Sequence, residues 1–193
     1  NVCGSGYDRH SGFMGPAIAL LFLAVGISCA PPAFQGWKGE TLEGTPFDLS
    51  RLKAPIVAVN VYSPTCVPCI DELPALDLLG RELSKKEGEI FLLVDGNPEK
   101  HGLAASASQS DLRNRLQADV KKYGIRAPVV IMDAAFKTAE PGAFITGTPE
   151  TIFFRTGPLT PVYLFLGPIM EGQPFVPEED SRFRFVLSQL EAM

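Results

Sequence analysis

Apolar residues in this chain fall into two kinds of run. Residues 56–62 (IVAVNVY), 89–95 (EIFLLVD) and 129–133 (VVIMD) are short, rich in β-branched residues and almost continuously apolar. Central strands covered on both faces read this way. Between them the apolar spacing changes to three and four. Ile70, Leu73, Leu76, Leu79 and Leu83 predict a helix over 66–86, and Leu112, Leu116, Val120 and Tyr123 predict one over 111–123. Pro74 falls inside the first helix and is expected to kink it. Ser110 is the expected N-cap of the second, and Gly124 its end. Gly39, Gly44 and Pro46 break residues 37–52 into a hairpin with strands near 40–42 and 46–49, followed by a turn over 50–55. Residues 96–110 and 140–147 read as loops. Residues 151–155 and 161–166 form an antiparallel hairpin around Thr156-Gly157-Pro158, and 181–192 is a closing helix with Phe183, Val186, Leu187 and Leu190 inward.

Strand–helix alternation calls for parallel strands joined by helical crossovers, and the last hairpin adds antiparallel ones. The expected architecture is an α/β domain: a mixed sheet with a parallel core and a C-terminal antiparallel hairpin, flanked by helices. The length of 193 residues fits one such domain. A net charge of −5 without a basic run excludes nucleic acid as a partner. Two histidines, His10 and His101, rule out a multi-histidine metal site. Four cysteines are too few to staple a chain of this length.

The N-terminal segment reads as an address. Residues 17–27 (AIALLFLAVGI) are too short to span a bilayer, which takes ~20 residues, and suit the apolar core of a secretory signal. Ser28 and Cys29 follow, then Ala30-Pro31-Pro32. An apolar run, small residues and a cysteine resemble a bacterial lipobox, although Gly26 stands where leucine is usual. The expected division is a leader over 1–28, lipidation at Cys29 with a linker over 29–36, and the working domain over 37–193. The alternatives are an uncleaved anchor, cleavage near Ala30, or a buried segment. The exported forms place the domain outside the cytosol, and the lipidated form anchors it to the membrane.

The chemistry is expected at Cys66-Val67-Pro68-Cys69. Two thiols separated by two residues can close a disulfide across one helical turn. A helix N-terminus presents unpaired N–H groups that favour a thiolate, lowering the thiol pKa below its free value of ~8.5. Cys66, at the strand–loop end, is the expected attacking thiol and Cys69 the resolving one. A structural disulfide and half of a zinc site are the competing readings. Zinc needs two further ligands, and once the leader is removed only Cys29 and His101 remain. A preceding strand and a following helix favour redox chemistry.

With these residues the chain resembles the thioredoxin superfamily, and within it the TlpA/ResA-like, membrane-tethered thiol–disulfide oxidoreductases. The run from Cys66 to Pro74 matches the pattern C-x-P-C-x-x-E-x-P. Tyr123-Gly124-Ile125 with Pro128-Val129-Val130 and Asp133 resembles the segment before a central strand. Gly147-Thr148-Pro149 falls where relatives carry a cis-proline. Thr65 replaces the usual tryptophan before the first cysteine. The resemblance implies a thioredoxin-like fold over 37–193 and no cofactor. It implies that Thr148 and Pro149 bind substrate beside the cysteines, and that Glu72 exchanges a proton with Cys69, while Asp71 is surface. It also implies protein disulfides or thiols as substrates, such as those of cytochrome c maturation or copper sites, with a membrane electron donor for re-reduction. Two rivals remain. A copper metallochaperone would use Cys66, Cys69 and His101, but its relatives have CxxxC and a more distant histidine. A thiol peroxidase would need Pro-x-x-x-Thr-x-x-Cys, whereas Thr65 abuts Cys66.

Overall fold

The computed structural model describes residues 36–136 and 145–193. The expected leader, Cys29, nearly all of the linker and part of the loop at 140–147 lie outside them. Among the described residues no helix is long and apolar enough to cross a membrane.

Among the described residues seven strands form one sheet: β1 (Lys38–Thr41), β2 (Pro46–Asp48), β3 (Ile56–Tyr62), β4 (Glu89–Val94), β5 (Val129–Met132), β6 (Glu150–Arg155) and β7 (Thr160–Leu166). Their order is β2-β1-β5-β4-β3-β6-β7. β3, β4 and β5 run parallel, while β1–β2 and β6–β7 add antiparallel pairs at the two edges. The expected mixed α/β sheet is therefore present. β3 is buried at every position because it lies between β4 and β6, with cores on both faces.

Strand periodicity divides those cores. Ile56, Ala58 and Tyr62 of β3 join Ile90, Leu92 and Val94 of β4 on one face. There they meet side chains from the four α-helices of the described residues: α1 (Val67–Asp71), α2 (Leu73–Ser84), α3 (Gln109–Tyr123) and α4 (Ser181–Glu191). Val57 and Val59 face the other way, toward Phe47, Leu49, Leu93, Ile152 and Phe154. Asn60 shares the even-numbered face of β3, so a polar amide stands among the helix-covered side chains. Opposite it across the β3–β6 ladder is Thr151.

Three boundaries differ from expectation. The helix predicted over 66–86 is two helices meeting at Glu72. Pro74 has no N–H to offer the Ile70 carbonyl, so the chain breaks ahead of the proline instead of kinking around it. The second piece ends at Ser84, and its buried face carries Leu73, Ala75, Leu76, Leu79 and Leu83. Each such buried leucine contributes roughly 1.5–3 kcal/mol. α3 starts at Gln109, with Ser108 as its N-cap instead of Ser110. Ser108 and Asp111 close a capping box: the Asp111 N–H donates to Ser108 Oγ at 3.3 Å, and the Ser108 N–H to Asp111 Oδ2 at 2.8 Å. Ser110 has Arg113 three residues on and cannot close one. Lastly, the expected loop after β4 holds a 3-10 turn over Pro98–His101, ended by Gly102 at φ 70°, which turns His101 into the interior.

Candidate active site

The site is built where β3 ends and α1 begins. After Tyr62 the chain turns through Ser63-Pro64-Thr65 and enters α1 with Cys66 as N-cap. Cys66 and Cys69 form a disulfide of 2.11 Å with their Cα atoms 5.2 Å apart. Cys69 is fully buried and Cys66 half-buried, with Val67 and Pro68 exposed beside it. An incoming sulfur therefore reaches Cys66 first. The Cys69 backbone N–H donates to Cys66 Sγ at 3.2 Å. After reduction the same N–H favours the Cys66 thiolate by donating to the charged form.

Glu72 is one helical turn beyond Cys69, on the same side of the chain. It is completely buried. Its Oε1 accepts from Asn60 Nδ2 at 2.9 Å, and its Oε2 accepts from the Ile169 backbone N–H at 2.7 Å. Asn60 Nδ2 also donates to Thr151 Oγ1 at 3.0 Å. Burial pushes the Glu72 carboxyl up to about 7, while the Ile169 and Asn60 hydrogen bonds and the Arg182 guanidinium pull the other way. Desolvation wins because two hydrogen bonds do not replace full hydration of a carboxylate. A buried group that changes charge near neutrality is thus available next to the disulfide. Asp71, its neighbour, is exposed.

A second polar group lies on the Cys66 side. His101 is buried; its Nε2 is 2.7 Å from the Asp95 carbonyl and its Nδ1 is 3.0 Å from Ser63 Oγ. A carbonyl only accepts, so Nε2 carries the proton and Nδ1 accepts from the Ser63 hydroxyl. Thr65 completes the chain, with its Oγ1 3.1 Å from Ser63 Oγ and its N–H donating to that same oxygen. Burial holds the imidazole below its ordinary pKa, hence neutral. Neither ring nitrogen has a lone pair left for a metal. Among the described residues no group of three or more His, Cys, Asp or Glu side chains is placed to hold one.

Thr148 and Pro149 come from the turn ahead of β6, and the peptide bond between them is cis. Thr148 is exposed and Pro149 buried. Thr148 and Cys66 line one cavity of about 470 Å³, together with Thr65, His101, Lys100 and Ile145. The turn is held by Glu150, which is buried and accepts from the Thr146 backbone N–H at 2.9 Å and from the Thr146 hydroxyl. The structure thus brings Cys66, Cys69 and Thr148 to one place, with Glu72 at the junction of α1 and α2, three residues past Cys69. Cys29 lies outside the described residues.

Sequence reasoning missed Asn60, Glu150 and the role of His101. Asn60 had a signal: it is the single polar residue in an otherwise apolar run, and a buried amide must find partners. Glu150 and His101 had none, since their partners come from loops whose paths no periodicity encodes.

No protein-family model matches the chain. Among solved structures it is similar to a secreted Mycobacterium tuberculosis disulfide oxidoreductase homologous to E. coli DsbE, at 16% identity over 85% of this chain and 100% of that one, with TM-score 0.55. It is also similar to a DsbF homologue from Corynebacterium diphtheriae, at 23% identity over 81% and 83%, with TM-score 0.57. A secreted thiol-disulfide isomerase from Corynebacterium glutamicum shares 24% identity over 68% and 74%, with TM-score 0.50. The class defined by strand order and these likenesses is the thioredoxin-like fold, as the sequence resemblance implied.

Proposed function

We propose that the protein is a thiol–disulfide oxidoreductase acting on protein thiols outside the cytosol, most naturally as a disulfide reductase. The observation that carries this reading is the Cys66–Cys69 disulfide, with one sulfur accessible and one buried, beside Thr148 and a buried carboxyl. In the reduced form the Cys66 thiolate attacks a partner disulfide and releases one partner thiolate, giving a mixed disulfide. Cys69, losing its proton to Glu72, then attacks Cys66 Sγ. The second partner thiolate leaves, and two electrons have passed from the pair to the partner. Thr148 pairs its backbone with the partner strand, and Pro149 lines the same contact. Re-reduction falls to a membrane electron donor, and Cys29 anchors the domain by lipid after removal of residues 1–28. Substrates of the cytochrome c maturation or copper-site kind fit this placement. The solved structures similar to this chain include secreted proteins, which supports an extracytoplasmic setting. Copper delivery draws no support from His101, whose two nitrogens are both used within the protein.

The test is trapping. Cys69→Ser should accumulate mixed disulfides through Cys66 with exported proteins, released by reductant and identified by mass spectrometry. If nothing is caught in the exported compartment, the reading fails.

A further inference from the structure

Glu72 poses a geometrical problem. Both of its oxygens face donors: Oε1 faces Asn60 Nδ2 and Oε2 faces the Ile169 N–H. That arrangement suits an ionised carboxylate and leaves no acceptor for a carboxyl proton. The Ile169 N–H is fixed in the backbone and cannot turn away. Asn60 can. Its Oδ1 is buried and has no hydrogen-bond partner among the described residues, while both Nδ2 hydrogens are used, on Glu72 and on Thr151. Half a turn about the last side-chain bond exchanges Oδ1 and Nδ2. Oδ1 then accepts a hydrogen bond from the protonated Glu72 Oε1, and the Thr151 hydroxyl, which can donate as well as accept, turns its hydrogen to the same oxygen. The turned orientation leaves the Nδ2 hydrogens without these partners where the first leaves Oδ1 without one, so the carboxyl proton decides which is adopted.

We propose that Asn60 is the positioning residue that lets Glu72 hold and release a proton: its amide donates to the ionised carboxylate and turns over to accept from the protonated one. Because Thr151 lies two residues past Pro149 on β6, the turn also carries the protonation state of Glu72 to the strand that follows the substrate-binding turn. The groups acting on Glu72 are Asn60 of β3, the Ile169 N–H beyond β7 and Arg182 of α4. Only Arg182 is charged, and its charge is constant across neutral pH. In the oxidised protein neither cysteine titrates, so Glu72 is the group whose titration is read.

The experiment is an NMR titration of the oxidised, isotope-labelled protein between pH 5 and 9. The Asn60 side-chain amide signals should move with the same midpoint as the Glu72 carboxyl carbon. In Glu72→Gln they should not move at all. Asn60 signals that stay constant while Glu72 titrates overturn the proposal. This arm needs no catalytic activity, so it stands or falls apart from the proposed function. The kinetic arm rests on that function. Asn60→Leu removes a charge-assisted donor from the ionised form but only a weaker neutral acceptor from the protonated one, and should move the pH midpoint of disulfide exchange up by about one unit. A lower melting temperature with the midpoint unmoved would mean that Asn60 only packs. If Asn60→Leu does not fold, the wild-type titration still decides.

Discussion

Two polar clusters flank the disulfide, and they are built to opposite ends. On the Cys66 side, His101, Ser63 and Thr65 form a chain in which each ring nitrogen has a suitable partner and burial keeps the imidazole neutral. On the Cys69 side, Glu72 has donors on both oxygens, an unpartnered amide oxygen next to it, and a carboxyl raised to about 7. The first cluster holds a turn in place. The second leaves a proton undecided near neutral pH. What separates them is completeness: a fully satisfied network has one low-energy state, and one with an orphaned atom can have two.

Cys66→Ser should have the largest effect and remove exchange altogether, measured as reduction of a protein disulfide. Residual exchange would show that neither cluster serves Cys66. Next is Glu72→Gln, which should slow exchange about a hundredfold if the carboxyl moves the proton of Cys69. It should also remove a pH dependence of stability. The folded-state pKa of Glu72 is raised, so its contribution to stability is full below about 4.5 and is lost as pH rises through about 7. That loss is about 3 kcal/mol in denaturant unfolding of the wild type. Glu72→Gln should flatten this slope, and an unchanged slope would remove Glu72 from the comparison.

His101→Phe should behave oppositely. It strands the Asp95 carbonyl, at about 1–3 kcal/mol, and takes one partner from the Ser63 hydroxyl, which keeps Thr65, yet should leave the pH midpoint of exchange in place. The wild-type histidine has its folded-state pKa lowered, so its contribution is present above its ordinary value and is lost as pH falls below it. A shift of the exchange midpoint in His101→Phe would make the two clusters alike. Thr65→Val should have the smallest effect, lowering stability by about 0.5–1.5 kcal/mol with exchange within a few-fold of wild type.

Much of the fold was legible in local pattern. β3, β4 and β5 are apolar runs, and a strand between two others can be read without knowing its neighbours. The CxxC pair was legible because three-residue spacing on a helix start needs no tertiary information. The end of α1 was harder. Pro74 announced a disturbance but not what Glu72 at the break would meet, and its partners are Asn60 and the Ile169 N–H, one 12 residues back and the other 97 residues on. His101 falls in a run that reads as a loop, and as a candidate metal ligand in the sequence. Its burial follows from Gly102 in the left-handed region and the Asn97 cap of the 3-10 turn, whose combination is not a periodic signal.

The sequence by itself determined the alternation of strands and helices, the mixed sheet, and the two cysteines at a strand–helix junction. These depend on neighbours within a few residues, where side-chain period and backbone geometry act directly. The tertiary structure decided which titratable groups are buried and what each one touches. It placed Thr151 across from Asn60 and brought a backbone N–H from beyond β7 onto Glu72. Protonation near neutral pH depends on desolvation and on partners far away in the chain, and only the folded arrangement supplies either.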